Sequence, residues 1–431
     1  MLLLHLSDIH FREGEIGTAM DPNAHLRNEL LRDAEAQCKA IGTAPDAVLV
    51  SGDIAYGGSD HEFRFAREWL EQLCGRCGTT LAAVFVVPGN HDAVRTIASR
   101  PIVQAIHKDI KNASTIGLEG VLRGLLTDSE TGPKLYESLA PYNKFAGQFF
   151  CDLLPPDRTI ARRDLSLNDG SILRLMGFNS AFVSSAADKK GDLFVDPACF
   201  QLTREAGVEY LVMCHHPFVW LRQGDLLRDY LNDVARLQLF GHEHTSRIEL
   251  HRDWIRIAAD AAHPDRTEAG WEPGYNLVEL TVDGTGSDRR LSARVHVRVW
   301  QSRPGEFRAK TDRGRDVFEH TIPLEPWSAP AVPGEPAADV KSGPVISPAP
   351  TASESAKIDP MDSLRDISVR FFKLTLSQKS AIAGKLNLLE EEDGNQPDFE
   401  RFRRVFMRAR ERGLVERLDE EVKAATTNQQ D

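Results

Sequence analysis

The sequence predicts an α/β fold: a layered sandwich of sheets and helices with a helical insertion, followed by a small all-α domain. Three observations carry that expectation. Apolar runs of strand length alternate with stretches of helical periodicity over residues 1–92. Each of those runs stops at side chains able to hold a metal ion. Composition then shifts to Pro, Ala, Ser and Gly over residues 323–360, as in a linker, before helical periodicity resumes. The expected domains are residues 1–322, with an insertion at about 96–170, and residues 361–425, with a disordered tail at 426–431.

Taken in order, Leu2, Leu3, Leu4 and Leu6 form a run too short for a membrane span and suited to a buried strand. It ends at Ser7-Asp8-Ile9-His10. Residues 11–24 read as a loop. Leu26, Leu30, Leu31, Ala34 and Cys38 recur at helical spacing, and Gly42 and Pro45 stop that helix. Ala47-Val48-Leu49-Val50 is the next strand and ends at Ser51-Gly52-Asp53. A helix over 60–74 leads to a strand at 81–87, which ends at Pro88-Gly89-Asn90-His91-Asp92. Residues 96–170 lose this rhythm and read as mostly helical, a cap over the strand ends. Strand character returns at 171–179, at 210–214 before His215-His216-Pro217, and at 236–240 before Gly241-His242-Glu243-His244. Runs at 254–259, 275–282 and 291–300 suggest a second, mainly antiparallel sheet. In the C-terminal part, Phe399, Phe402, Val405 and Phe406 line one helix face. Arg401, Arg403, Arg404, Arg408 and Arg410 surround them, as on a small bundle with a solvated basic face.

Composition sets limits. A formal net charge of −12 argues against a protein coated in positive charge for non-specific nucleic-acid or membrane binding. The 6 cysteines show no disulfide framework, and Cys74-Gly75-Arg76-Cys77 lacks the second pair a zinc site needs. With reduced thiols, no signal-peptide pattern and no long apolar segment, a cytoplasmic protein is expected.

Asp8, His10, Asp53, Asn90, His91, His215, His242 and His244 all follow predicted strands. Carboxylates, imidazoles and an amide oxygen suit hard-to-borderline divalent ions such as Mn²⁺, Fe²⁺, Co²⁺ and Zn²⁺. Cysteine is missing from the set, so a closed structural zinc site is not expected. The donors are too many for one ion and enough for two sharing a carboxylate, an arrangement that activates water and clamps a phosphoryl group. His5 reads as a core residue. His25, His107, His251, His263, His296 and His320 read as surface or packing residues, while His61 follows a Gly57-Gly58 loop that approaches the strand ends.

The ordered blocks Asp8-x-His10, Gly52-Asp53, Gly89-Asn90-His91-Asp92, His215-x-Pro217 and Gly241-His242-x-His244 resemble the calcineurin-like metallophosphoesterases over residues 1–320. They look most like the branch of class III cyclic-nucleotide phosphodiesterases, with repair nucleases as the next relatives. The resemblance implies a four-layer α/β/β/α sandwich and two divalent ions, manganese favoured. Asp8, His10 and His244 would hold one ion, Asn90, His215 and His242 the other, and Asp53 both. The family pattern His-x-Pro selects His215 over its neighbour His216. His91 would face the phosphoryl group, with Asp92 orienting its imidazole. The implied activity is hydrolysis of a phosphoester, a nucleotide-type substrate favoured, by a hydroxide bridging the ions. Two alternatives stay open: a nuclease effector, possible in bacterial defence, and a scaffold with a weak site. Residues 361–425 resemble small helical adaptor domains fused to bacterial NTPases and effectors, which implies a protein partner.

Overall fold

The computed structural model describes residues 1–114, 116–265, 271–329 and 360–427. The chain first lays down three parallel strands, β1 (Leu2–Leu6), β2 (Ala47–Val50) and β3 (Val84–Val86). Parallel neighbours need a crossover, and the helices Ala24–Ile41 and Asp60–Arg76 supply it. The second helix starts in a capping box: Ser59 accepts from the Glu62 backbone N–H, and the Glu62 carboxylate accepts from that of Ser59.

A second sheet follows, built from β4 (Ile160–Ser166), β5 (Ile172–Phe178), β6 (Val208–Cys214), β7 (Ala235–Phe240), β8 (Arg247–His251) and β9 (Trp254–Ala258). Its order is β4-β5-β6-β7-β9-β8. The chain then returns to the first sheet with β10 (Gly274–Asp283), β11 (Arg290–Ser302), β12 (Gly305–Ala309) and β13 (Phe318–Pro323). That sheet runs β12-β11-β10-β1-β2-β3, with β13 also on β11. β1 is wholly buried between β10 and β2, which explains why it reads as continuous leucine rather than an alternation.

Two expectations need correction. The late strands do not form a separate antiparallel sheet. β10 to β13 extend the first sheet, because β10 pairs antiparallel with the edge of β1 left open by β2. The second sheet is parallel through its centre, from β5 to β6, β7 and β9. Residues 160–166 are also no helix. They are the edge strand β4, in which Ala161, Arg163 and Leu165 alternate inward; three charges in seven residues hide the period of two.

The helical part of the insertion comprises Arg95–Ala98, Pro101–Asn112, Leu118–Thr127, Thr131–Tyr136 and Ala140–Ala146. Tyr142 Oη donates to the Val86 carbonyl at 3.2 Å and so ties this layer to the outer strand of the first sheet.

Four C-terminal helices, Pro360–Phe372, Leu376–Lys385, Asp398–Glu411 and Val415–Thr427, bury Leu364, Phe371, Phe402, Phe406 and Leu418 in a core of their own. Phe150 of the insertion joins that core, edge-on to Phe406 at 5.7 Å. Arg158 bonds Glu400 at 2.6 Å and Arg403 bonds Asp152 at 2.8 Å, so the bundle is docked on the sandwich. The basic face is therefore not simply solvated: Arg401 pairs with Asp398, Arg404 with Glu400 and Arg408 with Asp393. The described residues at the start of the expected linker are packed on the sandwich. Leu324 is buried, and Trp327 packs on Gly207 and beneath the Arg289 guanidinium. Residues 330–359 and 428–431 lie outside the described residues.

Candidate metal centre

The loops after β1, β2, β3, β6 and β7 converge at the edge where the two sheets meet. Backbone bonds knit the first two, with Asp8 N–H donating to Gly52 O at 3.0 Å and His10 N–H to Asp53 O at 3.0 Å. Asp8, His10, Asp53, His242 and His244 all adopt left-handed backbone conformations, with φ of 52°, 51°, 51°, 70° and 49°. Each costs roughly 1–3 kcal/mol for a non-glycine residue and persists only where the surroundings enforce it. Strain gathered on five donor residues marks the place independently of any motif. Glycine is needed nearby for two reasons. Gly52 has φ of 98°, and a Cβ there would lie 2.5 Å from His215 Nδ1. At Gly89 the requirement is space, since a Cβ would meet Asp53 Oδ1 at 2.1 Å.

The donor atoms form overlapping clusters: Asp8, His10 and His244; His10, Asp53 and His91; Asp8, Asp53 and His215; His215, His216 and His242. Within each, the candidate ligand atoms lie within 4.8 Å of one another. His244 Nε2 is 3.2 Å from Asp8 Oδ1, and Asp53 Oδ2 is 3.2 Å from His10 Nε2 and 3.3 Å from His215 Nε2. Neighbouring bonds aim these atoms. Asp8 Oδ2 accepts from Ser7 Oγ and from His242 N–H at 3.0 Å, which leaves Oδ1 for the centre. Asp53 Oδ1 accepts His91 N–H at 2.8 Å, which leaves Oδ2. His215 Nδ1 donates to Ser51 O at 2.8 Å, which turns its Nε2 inward.

Burial works against charge on both carboxylates. Even so, the His244 and His215 imidazoles hold Asp8, and those of His215 and His10 hold Asp53, well below the usual range. His215 loses charge to burial but gains more from Asp53, and rises to about 9. His242 is pushed down to about 3 by burial and by His215, and His216 falls for the same causes. Two buried carboxylates and an oxygen-and-nitrogen set of convergent donors fit divalent cations of the hard-to-borderline class.

Asn90 lies beside this cluster, its Oδ1 3.2 Å from His215 Nε2. Two placements differ. His216, set aside in favour of His215, points into the same cluster: its Nε2 is 3.1 Å from Asn90 Oδ1, and Ser180 holds its Nδ1 at 2.8 Å. β6 ends at Cys214, so the alternation that separates neighbouring side chains in a strand no longer applies. The doublet at a strand end was the available signal. Asp92 does not orient His91. Its carboxylate accepts the backbone N–H groups of Ala55 at 2.8 Å and Gly89 at 2.9 Å, while burial and the Asp53 charge push it up to about 8. The His91 ring is positioned instead by Nδ1 donating to Tyr56 O at 2.9 Å and by the Tyr56 ring 4.8 Å away.

Tyr56, with the Arg12 guanidinium 4.0 Å above its ring, and Trp220, 4.2 Å from the His242 ring, are site residues that carried no sequence signal. His61 is exposed on the Asp60–Arg76 helix and is absent from the donor clusters found among the described residues. His263 is buried and donates to Ile9 O at 2.7 Å beneath the loop.

Residues 363–424 match the family model of a GTPase-associated adaptor domain. Glycerophosphodiester phosphodiesterase GpdQ of Enterobacter lignolyticus is 33% identical over 116 residues, covering 26% of this chain and 37% of that protein. The match thus spans little more than a third of that relative's length. Among solved structures, a conserved Streptococcus pneumoniae protein described as a predicted phosphoesterase aligns at 14% identity. It covers 74% of this chain and 97% of its own, with a TM-score of 0.27. Vps29 of Chaetomium thermophilum aligns at 12% identity over 75% and 98%, with a TM-score of 0.29. Similarity at that level carries no functional argument. The calcineurin-like phosphoesterase model, by contrast, matches residues 1–246, which include every donor named above, and the chain belongs to that family.

Proposed function

We propose that the protein is a dinuclear metal-dependent phosphohydrolase acting on a small phosphodiester or phosphomonoester, nucleotide-type substrates favoured. The observation that carries this reading is the position of Asp53 Oδ2, within 3.3 Å of imidazoles that belong to separate donor clusters. Asp8, His10 and His244 would hold one cation; Asn90, His215 and His242, with His216 beside them, the other; Asp53 would serve both. Bound there, two cations supply a water nucleophile at neutral pH and charge neutralisation for the phosphoryl oxygens. The donor set admits Mn²⁺, Fe²⁺, Zn²⁺ and Co²⁺, and the family resemblance favours Mn²⁺ among them.

The chain's own residues supply the rest. With Nδ1 donating to Tyr56 O, His91 presents Nε2 to the phosphoryl group. Burial lowers its pKa, and only in the imidazolium form, which Asp53 and an incoming phosphoryl charge favour, does Nε2–H donate to an oxygen or protonate the leaving group. Arg12 and Arg95 flank Tyr56 at 4.0 and 5.6 Å and add positive charge at the mouth. The GpdQ similarity supports a phosphodiester. A nuclease would need free cations to grip a strand, and the ion pairs of Arg401, Arg404 and Arg408 favour the small substrate. The adaptor-domain match supports a protein partner held through residues 361–425, and six free cysteines support a cytoplasmic setting.

The test is a substrate panel on metal-reconstituted protein: an aryl phosphodiester, cyclic nucleotides and single-stranded DNA, each with wild type and Asp53→Ala. Turnover of the small esters that Asp53→Ala abolishes is expected. Preferential cleavage of DNA, or full activity in Asp53→Ala, overturns the reading.

A further inference from the structure

The boundary between the sandwich and the C-terminal helices holds a cleft of about 190 Å³ whose lining includes none of the metal-centre residues. Its walls are aromatic. Phe63 and Phe145 stack at 5.2 Å, and Phe372 from the C-terminal domain lines the same space. Its charge is mainly positive. Arg64, Arg67 and Lys144 line it, and Lys379 reaches its edge with Nζ 5.2 Å from the Phe372 ring.

Arg67 is the poorly compensated cation among them. Nε and Nη2 of Arg67 are buried with no hydrogen-bond partner among the described residues, and so is Gln148 Oε1. Asp60 is the acid in the lining and is bonded to Lys144 at 2.8 Å, with both side chains more than half exposed. Glu68 and Glu71 act on Arg67 only through space, and Glu71 is bonded to Lys373. Asp398 acts on Lys379 in the same way, against repulsion from Lys144 and Arg67. Burying guanidinium N–H groups without acceptors is costly, and these are aimed at a cavity beside other cations.

We propose that the cleft binds a nucleoside monophosphate across the domain boundary. The Arg67 fork suits two phosphate oxygens, and Lys144 and Lys379 add point charges. The half-buried Phe372 ring suits a base, with the edges of the mutually stacked Phe63 and Phe145 behind it, and Gln148 Oε1 accepts a hydroxyl or amino group of the ligand. Because Phe372 and Lys379 belong to the C-terminal domain and the other groups to the sandwich, the ligand stabilises the docked arrangement of the two.

The test uses the full chain carrying Asp53→Ala, so that the metal centre contributes no phosphate site, with wild type alongside. Calorimetric titration with AMP, and separately with inorganic phosphate, is expected to show AMP binding at one site per chain and phosphate binding there more weakly. Adding Arg67→Gln weakens AMP binding roughly tenfold or more. Lys144→Gln, at an exposed side chain whose ion pair with Asp60 is also exposed, weakens it in the same direction. Absence of AMP binding in the Asp53→Ala chain overturns the proposal, as does binding that both added substitutions leave unchanged. Phosphate binding as tight as AMP overturns the nucleotide assignment.

Discussion

Asp53 Oδ2 and His215 Nε2 lie 3.3 Å apart, although Asp53 follows a strand of the first sheet and His215 a strand of the second. The two sheets therefore complete the site only together. Asp53→Ala removes the carboxylate that lies between His10 and His215, imidazoles of separate donor clusters. On the proposed dinuclear reading, metal content and turnover fall as one. The expected loss is several kcal/mol of transition-state stabilisation, on the order of 10³-fold in kcat. Elemental analysis beside an aryl-phosphodiester assay checks it; a variant that keeps both ions and its rate would show that Asp53 is not shared.

His216 separates two ways of building the second cluster. If its Nε2 helps to hold an ion, His216→Ala weakens metal binding by about 10–100-fold, as loss of a closely supporting group does. His91→Ala keeps its metal and loses about 10²–10⁴-fold in kcat, the range for a missing general acid. Metal titrations of the two variants, run in parallel, decide between a ligand and a packing role for His216.

Asp92 accepts two buried backbone N–H groups, so Asp92→Ala acts through the loop and not through His91 chemistry. Each orphaned donor costs about 1–3 kcal/mol. Thermal melting is expected to drop sharply. Asp92→Asn, which retains an acceptor for one of the donors, recovers part of the loss. A variant with an unchanged melting temperature and a collapsed rate would return Asp92 to a catalytic role.

The Asp8–His10 loop and its partners were legible because metal chemistry confines donors to a few residue types and strand ends repeat them in order. His216 was not, because the rule that adjacent residues diverge holds inside a strand and fails one residue past its end. Asp92 was misread because sequence proximity to His91 says nothing of where a short side chain turns, and here two backbone donors claimed it. The charges in β4 masked its alternation. The docking of the C-terminal domain was invisible for a different reason: Arg158 and Glu400 are 242 residues apart, and no local pattern records such a pair.

That pair makes the docked arrangement pH-sensitive. Burial opposes the charge of Glu400, but hydrogen bonds and charge from Arg158 and Arg404 hold its carboxyl below the ordinary glutamate value. A depressed carboxyl stabilises the folded state fully above its unfolded pKa of about 4.3, and the contribution is lost as pH falls through the lower folded value. Calorimetry of the full chain is therefore expected to show the C-terminal helices melting with the sandwich near neutral pH and separately under acid conditions. Glu400→Gln weakens the docking at neutral pH by about 1.5–3 kcal/mol, the worth of a hydrogen bond to a charged group. It also flattens the pH response. Identical acid responses in Glu400→Gln and wild type would place the pH-sensitive contact elsewhere, with Arg403 and the buried Asp152 carboxylate next to be tested.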